Sequence, residues 1–322
     1  MPPNRTSYTV DIVIPCYLEQ DVLPITVPAI QNYLRGLAQQ GNYKLASCRL
    51  ILVDDGSNDS TWDAIRKFNS VHPEIAGIKL SRNCGHQSAL LAGMAHASAD
   101  VVISMDADLQ DDIHAIGKML LAYEAGSDLV LGVRSDRTSD TVKKRGTAGA
   151  YYKILSLLGV NIVENHADFR LMSKRALAAL LLHNEINLFL RGIIPTLGFK
   201  TSIVPYARQS RAAGKTKYTL RKMARLALDG VTSFSIAPLR FVSCVGIAIF
   251  LASMSIGLYY FGERIFAPES VVPGWTSTVL PVLFLGGLQL LSIGVLGEYI
   301  GKIYLEVKHR PRFIVEETTF PS

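Results

Sequence analysis

Cysteine is scarce in this chain of 322 residues, and the four present, Cys16, Cys48, Cys84 and Cys244, show neither paired nor metal-type spacing. That excludes a disulfide framework and a cysteine-built zinc site, and it suits a reducing compartment. No G-x-G-x-x-G follows the first strand-like run, which removes the usual dinucleotide-binding oxidoreductase. Internal repeats and low-complexity tracts are absent. The start, Met1-Pro-Pro-Asn-Arg5, leads toward a strand without an apolar leader, so no signal peptide is expected. Two further absences concern charge. Residues 241–261 and 275–297 contain no Asp, Glu, Lys or Arg, and residues 208–225 contain no acid.

What is present fits these gaps. Hydrophobic residues make up 49% of the chain and the mean hydropathy is +0.24, high for a wholly soluble protein. Each charge-free stretch is long enough to cross a hydrocarbon core roughly 30 Å thick. Between them stand Glu263, Arg264 and Glu269; outside them stand Arg240 on one side and Lys302, Lys308, Arg310 and Arg312 on the other. By the positive-inside rule the pair reads as a hairpin with both ends in the cytoplasm. The acid-free run carries Arg208, Arg211, Lys215, Lys217, Arg221, Lys222 and Arg225. Leu220, Met223, Ala224, Leu226, Ala227 and Leu228 give its second half an apolar side at helical spacing, which suits a membrane interface. The net charge of +6 therefore needs no nucleic-acid partner to explain it.

Ahead of the basic run, strand-like and helix-like patterns alternate. Residues 10–15, 49–53, 76–80, 101–105 and 128–133 read as strands, with helices between them at about 23–40, 61–71 and 86–97. Such alternation argues for an α/β fold with a mostly parallel, doubly wound sheet. Ligands of these sheets sit beyond the carboxyl ends of strands. Both acidic clusters fall there, Asp54-Asp55-Gly-Ser57 after the second strand and Asp106-Ala-Asp108-Leu-Gln110 after the fourth. Asp106 and Asp108 are two apart, so an extended backbone would point both the same way. Like charges that close favour a cation between them, and a hard divalent ion shared with phosphate oxygens is the usual solution. A solvated acidic turn is the competing reading.

Ile14-Pro15-Cys16-Tyr17-Leu18-Glu19, Val53-Asp-Asp-Gly-Ser57, Ser81-Arg82-Asn83 and Asp106-Ala-Asp-Leu-Gln110 resemble the family 2 glycosyltransferases of GT-A fold. Asp168-Phe-Arg-Leu-Met172, Gly214-Lys-Thr-Lys-Tyr218 and Gly297-Glu-Tyr-Ile-Gly301 resemble one branch of them. That branch moves a sugar from a nucleotide to a polyprenyl phosphate, as bactoprenol glucosyltransferases and dolichyl-phosphate mannose synthases do. The likeness covers essentially the whole chain. It implies a Rossmann-like GT-A domain over 1–218 and an interfacial helix region over 219–237. Two transmembrane helices follow within 238–300, at about 241–261 and 275–297, and a basic cytoplasmic tail occupies 301–322.

The resemblance also implies roles. Pro15, Tyr17, Glu19, Asp54, Asp55, Arg82, Asn83 and Asp106 would bind the nucleotide sugar, and Asp106, Asp108 and Gln110 would hold Mg²⁺ or Mn²⁺. Asp106, Asp108, Asp168 and Arg170 would serve catalysis. For Asp168, orienting the sugar or acting as a base stands beside capping a helix or pairing with Arg170. His86 and His166 are expected to be structural or to support the site residues from behind. Arg211, Lys215 and Lys217 are the candidates for the acceptor phosphate, because cations near the membrane must hold an incoming dianion.

The expected activity is metal-dependent, inverting transfer of one hexose, foremost glucose from UDP-glucose, to undecaprenyl phosphate. It would take place at the cytoplasmic face of the inner membrane, for glycan or lipopolysaccharide modification. The enzyme would be multi-pass, with both termini cytoplasmic, and a homo-oligomer is compatible with the reading. Asn83-Cys-Gly-His86-Gln87 is nearer to aminoarabinose-transferring relatives, so a GDP-mannose or aminoarabinose donor stands as the alternative. A processive polysaccharide synthase needs more spanning helices and a Gln-x-x-Arg-Trp-type motif, which neither Trp62 nor Trp275 supplies. A non-catalytic membrane scaffold would have no need of an intact Asp-x-Asp, Gln110 and basic cluster.

Overall fold

The computed structural model describes residues 7–39, 41–135, 166–185, 190–207 and 275–320, together with 239, 241–249, 251, 252 and 255. Arg211, Lys215, Lys217, the interfacial helix region and part of the first expected span, residues 256–261 among it, lie outside the described residues. The chain divides into two compact units, one made of Met1–Leu157, Asn161–Leu220 and Arg310–Ser322, the other of Leu158–Val160 and Arg221–His309.

The first unit alternates strands and helices as the patterning requires. In order come β1 (Tyr8–Cys16), α1 (Leu23–Gln39), β2 (Leu45–Asp54), α2 (Thr61–Val71), β3 (Ile75–Leu80), α3 (His86–His96) and β4 (Val101–Ser104). Then follow α4 (Ala115–Glu124), β5 (Leu129–Arg134), β6 (His166–Ser173), α5 (Lys174–Leu181), α6 (Leu190–Thr196) and β7 (Thr201–Tyr206). Ile12, Ile14, Leu50, Leu52 and Ile103 are buried in the sheet's core. Their near-continuous apolar runs are what strands covered on both faces require. Gly93 lets α3 lie close on the sheet: a Cβ there would fall 2.3 Å from Val13 Cγ1 and 2.8 Å from Val53 Cγ2.

Eight strands form one sheet in the order β7-β5-β6-β4-β1-β2-β3-β8, where β8 is Val315–Thr318. The pairs β1–β2, β1–β4, β2–β3 and β5–β7 are parallel, whereas β4–β6, β5–β6 and β3–β8 are antiparallel. The sheet is therefore more mixed than expected. The reason is local: His166–Ser173 alternates charged and apolar residues and inserts as β6 between β4 and β5. Cys16 pairs with Asp54 and Val13 with Ser104, so the ends of β1, β2 and β4 converge.

In the second unit, residues 241–249 are helical and α7 spans Trp275–Val307. At a rise of 1.5 Å per residue, α7 is about 50 Å long. Among the described residues, one helical stretch is long and apolar enough to cross a membrane. It is Phe284–Val307, 24 residues with a mean hydropathy of 1.3 and none of it buried. The helix overruns the end expected at Gly297, because Glu298, Lys302 and Glu306 interrupt the apolar run without disfavouring helix.

Candidate active site

At the carboxyl ends of β1 and β2 the backbone and short side chains tie two loops together. Asp55 N–H donates to Cys16 O at 2.8 Å, Leu18 N–H to Ser57 Oγ at 3.0 Å, and Glu19 N–H to Thr61 Oγ1 at 2.9 Å. Asp55 in turn accepts the N–H groups of Cys84, at 2.7 Å, and Gly85, at 2.9 Å, at the start of α3. Gly56 is required between them. Its φ is +64°, and a Cβ would lie 2.4 Å from the Arg82 carbonyl carbon. Asp54 accepts Ser57 N–H at 3.0 Å, and its other oxygen is buried without a hydrogen-bond partner among the described residues. Burial pushes both carboxyls up, against the hydrogen bonds that Ser57 gives Asp54 and that Cys84 and Gly85 give Asp55.

Tyr17, Arg82 and Asn83 are exposed on this rim, and Glu19 is half-buried beside them. Pro15 is buried near the end of β1, opposite Val53. Leu18 and Leu109 adopt left-handed backbone, with φ of 57° and 53°. Non-glycine residues held that way gather at functional loops.

β4 stops at Ser104, and Asp106 and Asp108 lie in the turn beyond it. The extended backbone that would have aligned them is therefore not present. Asp108 accepts Gln110 N–H at 3.1 Å and closes the turn on itself. Asp106 points instead toward His86, whose Nε2 lies 3.5 Å from its Oδ1. The same Nε2 is 3.5 Å from Asp168 Oδ2 on β6. Arg170, wholly buried two residues along β6, and Arg191 of α6 also close on Asp168, the latter through Nη2 to Oδ2 at 2.8 Å.

The electrostatics follow from this layout. Burial pushes the Asp106 carboxyl up to about 6, aided by Asp111, Asp168 and Asp108 and opposed by His86. For Asp168 burial acts upward too, but His86, Arg170 and Arg191 outweigh it and hold the carboxyl well below the usual range. Burial lowers His86, yet its two carboxylate neighbours prevail and raise it. Burial draws the Arg170 guanidinium down against the pull of Asp168. Asp168 is thus an ionised anchor for three cationic groups and a poor proton acceptor.

A cation would fit at Asp106. Among the described residues its Oδ1 is buried without a hydrogen-bond partner, and burial raises its carboxyl although His86 lies 3.5 Å away. Among the described residues no group of three or more His, Cys, Asp or Glu could hold a metal ion. A metal here would draw on one or two carboxylates and on ligand phosphates, the habit of Mg²⁺.

His86 and Arg191 enter the site although the sequence did not single them out for it. For His86 a signal existed: it opens a helix at the carboxyl end of the sheet, where ligands collect. Arg191 sits on a helix of seven residues too short to show periodicity, and only the tertiary fold brings it to Asp168.

A family model described as Glycosyl transferase family 2 matches residues 11–181. The glycosyltransferase YkoT of Bacillus subtilis (strain 168) is 44% identical over 317 residues, covering 97% of this chain and 93% of that one. The SfII prophage-derived bactoprenol glucosyl transferase of Shigella flexneri is 38% identical over 314 residues, covering 96% and 98%. Among solved structures, the mannosyltransferase PcManGT from Pyrobaculum calidifontis, in complex with GDP-Man and Mn²⁺, aligns with a TM-score of 0.48. It is 17% identical and covers 95% of this chain and 87% of that one. A family model spanning more than half of the chain, with such relatives along nearly its full length, makes this protein a member of glycosyl transferase family 2 and an enzyme that transfers sugars.

Proposed function

We propose that the enzyme transfers a single glucose from UDP-glucose to a polyprenyl phosphate, undecaprenyl phosphate in the first place, with inversion at the anomeric carbon. The observation that carries the reading is the site itself. Asp106 has a buried oxygen that accepts no hydrogen bond among the described residues, and it lies across His86 from an Asp168 neutralised by two arginines. The name carried by the Shigella relative supports a polyprenyl acceptor and glucose. The exposed apolar helix Phe284–Val307 supports a membrane setting.

A phosphate monoester has a second pKa near 6 and is largely ionised at neutral pH. Such an acceptor needs no strong base, which agrees with the ionised, arginine-bound state of Asp168. Asp106, Asp108 and Gln110 would hold Mg²⁺ or Mn²⁺, and a bound metal would stabilise charge on the departing diphosphate. Tyr17, Glu19, Asp54, Asp55, Arg82 and Asn83 would line the nucleotide, and Arg211, Lys215 and Lys217 would hold the acceptor phosphate. Two spanning helices, with the sheet unit and both termini on the cytoplasmic side, complete the proposal. Incubating membranes with radiolabelled nucleotide sugars and undecaprenyl phosphate tests it, with label from UDP-glucose expected in the organic phase. Label from GDP-mannose or an aminoarabinose nucleotide alone would replace the sugar, and no lipid-bound label from any donor would overturn the reading.

A further inference from the structure

The family model ends at residue 181, yet the stretch after α7 is built into the sheet unit. It runs antiparallel along β3, with Leu80 opposite Val315, Lys79 opposite Glu317 and Ile78 opposite Thr318. Thr319 makes two bonds with Gly77: its Oγ1 accepts Gly77 N–H at 2.7 Å, and its own N–H donates to Gly77 O at 2.9 Å. Lys79 Nζ lies 3.1 Å from Glu316 Oε1. At the far end Phe320 stacks on His96, with ring centroids 6.0 Å apart, and the Arg49 guanidinium lies 5.2 Å from its centroid.

Two further contacts reach the roots of the neighbouring loops. Ile314 O accepts the N–H of Ser81, the first residue of the loop beyond β3, at 2.9 Å. Trp62 Nε1 donates to Glu317 Oε2 at 3.0 Å. Trp62 is the second residue of α2, directly after the loop that carries Asp54, Asp55 and Gly56. Its ring also roofs Gly77, where an added Cβ would lie 3.0 Å away. The two loops are already joined to each other, since Asp55 binds Cys84 and Gly85 and Gly56 presses on Arg82. The tail therefore grips the pair at both roots.

We infer that residues 310–320 form a positioning strap for the donor loops, latched by Glu317 on Trp62, and that this strap sets the affinity for the nucleotide sugar. The inference rests on the function proposed above. An edge strand that only completed the sheet would affect melting temperature and leave the donor KM alone. The strap also follows α7 directly in sequence.

The test uses the full chain in detergent micelles, with UDP-glucose and Mn²⁺, by calorimetric binding and by steady-state kinetics. Glu317→Ala and Trp62→Phe should each weaken donor binding by about threefold to tenfold, as loss of one hydrogen bond in a loop anchor warrants. The donor KM should rise alike, with kcat and the polyprenyl phosphate KM within about twofold of wild type. Glu317→Gln still accepts the indole N–H and should bind like wild type. The double variant should be no weaker than either single one. Donor affinity unchanged in both single variants, or a fall in kcat at constant donor KM, would overturn the strap while leaving the proposed function intact. A wild-type chain that binds no nucleotide sugar would overturn both.

Discussion

Arg170 carries its charge into the closed interior of the sheet, and Asp168, two residues earlier on the same face of β6, is the group that meets it. One Arg170 nitrogen, Nη1, is buried without a hydrogen-bond partner among the described residues. Removing Asp168 therefore strands the buried Arg170 charge, whereas Asp168 keeps Arg191 and His86 if Arg170 is removed.

Asp168→Asn should destabilise the sheet unit by about 3–5 kcal/mol, the usual result of leaving one partner of a buried ion pair alone. Denaturant unfolding of the purified variant checks this. Arg170→Met in the Asp168→Asn background should recover part of the loss, because the wholly buried charge is then gone.

The same anchor predicts a pH dependence. Asp168 is held below its ordinary value in the folded chain, so its contribution is fully present above the unfolded value near 3.9. It is lost as pH falls from there through the folded value. The stability gap between wild type and Asp168→Asn should shrink progressively as pH falls below about 4. Unfolding midpoints measured across that range would show it.

Asp106→Ala and Asp108→Ala should each lower transfer by roughly a hundredfold or more, since both act on charge at the leaving group. Far-ultraviolet circular dichroism and membrane fractionation should match wild type. Near-normal turnover of either variant in excess Mg²⁺ or Mn²⁺ would remove the metal assignment.

Arg211→Ala and Lys217→Ala should raise the KM for polyprenyl phosphate by roughly tenfold, through loss of a charge-assisted hydrogen bond, and leave the nucleotide-sugar KM nearly unchanged. Arg221→Ala and Lys222→Ala should weaken membrane attachment by about 1 kcal/mol each and leave both KM values alone. Kinetics in micelles separates the two sets, because headgroup attraction is absent there. Equal behaviour of all four variants would count against an acceptor role for Arg211 and Lys217.

Much of this was legible from residue patterns because the information is local. The apolar runs that became β1 to β5 announced themselves, and the acids that follow β2 and β4 fell at strand ends where such sheets keep their ligands. The failures were of two kinds. His166–Ser173 has charged residues on one face that only a closed ion pair can bury, so the sequence did not present it as a central strand. Val315–Thr318, with Glu316 and Glu317 in its centre, looked like part of a charged tail. An edge strand needs one packed side at most, and charge on it is ordinary protection against further pairing. The role of Arg191 could not be seen at all, because it depends on which helix the fold sets over β6.

The floor of the site comes from the interior of a strand, whereas its rim comes from loops. Along β6, Asp168 and Arg170 face one way and Phe169 and Leu171, both fully buried, the other. One residue inserted or deleted between His166 and Ser173 would exchange the two faces and turn Phe169 toward His86. Along β6, descendants of this sequence can therefore change only by substitution.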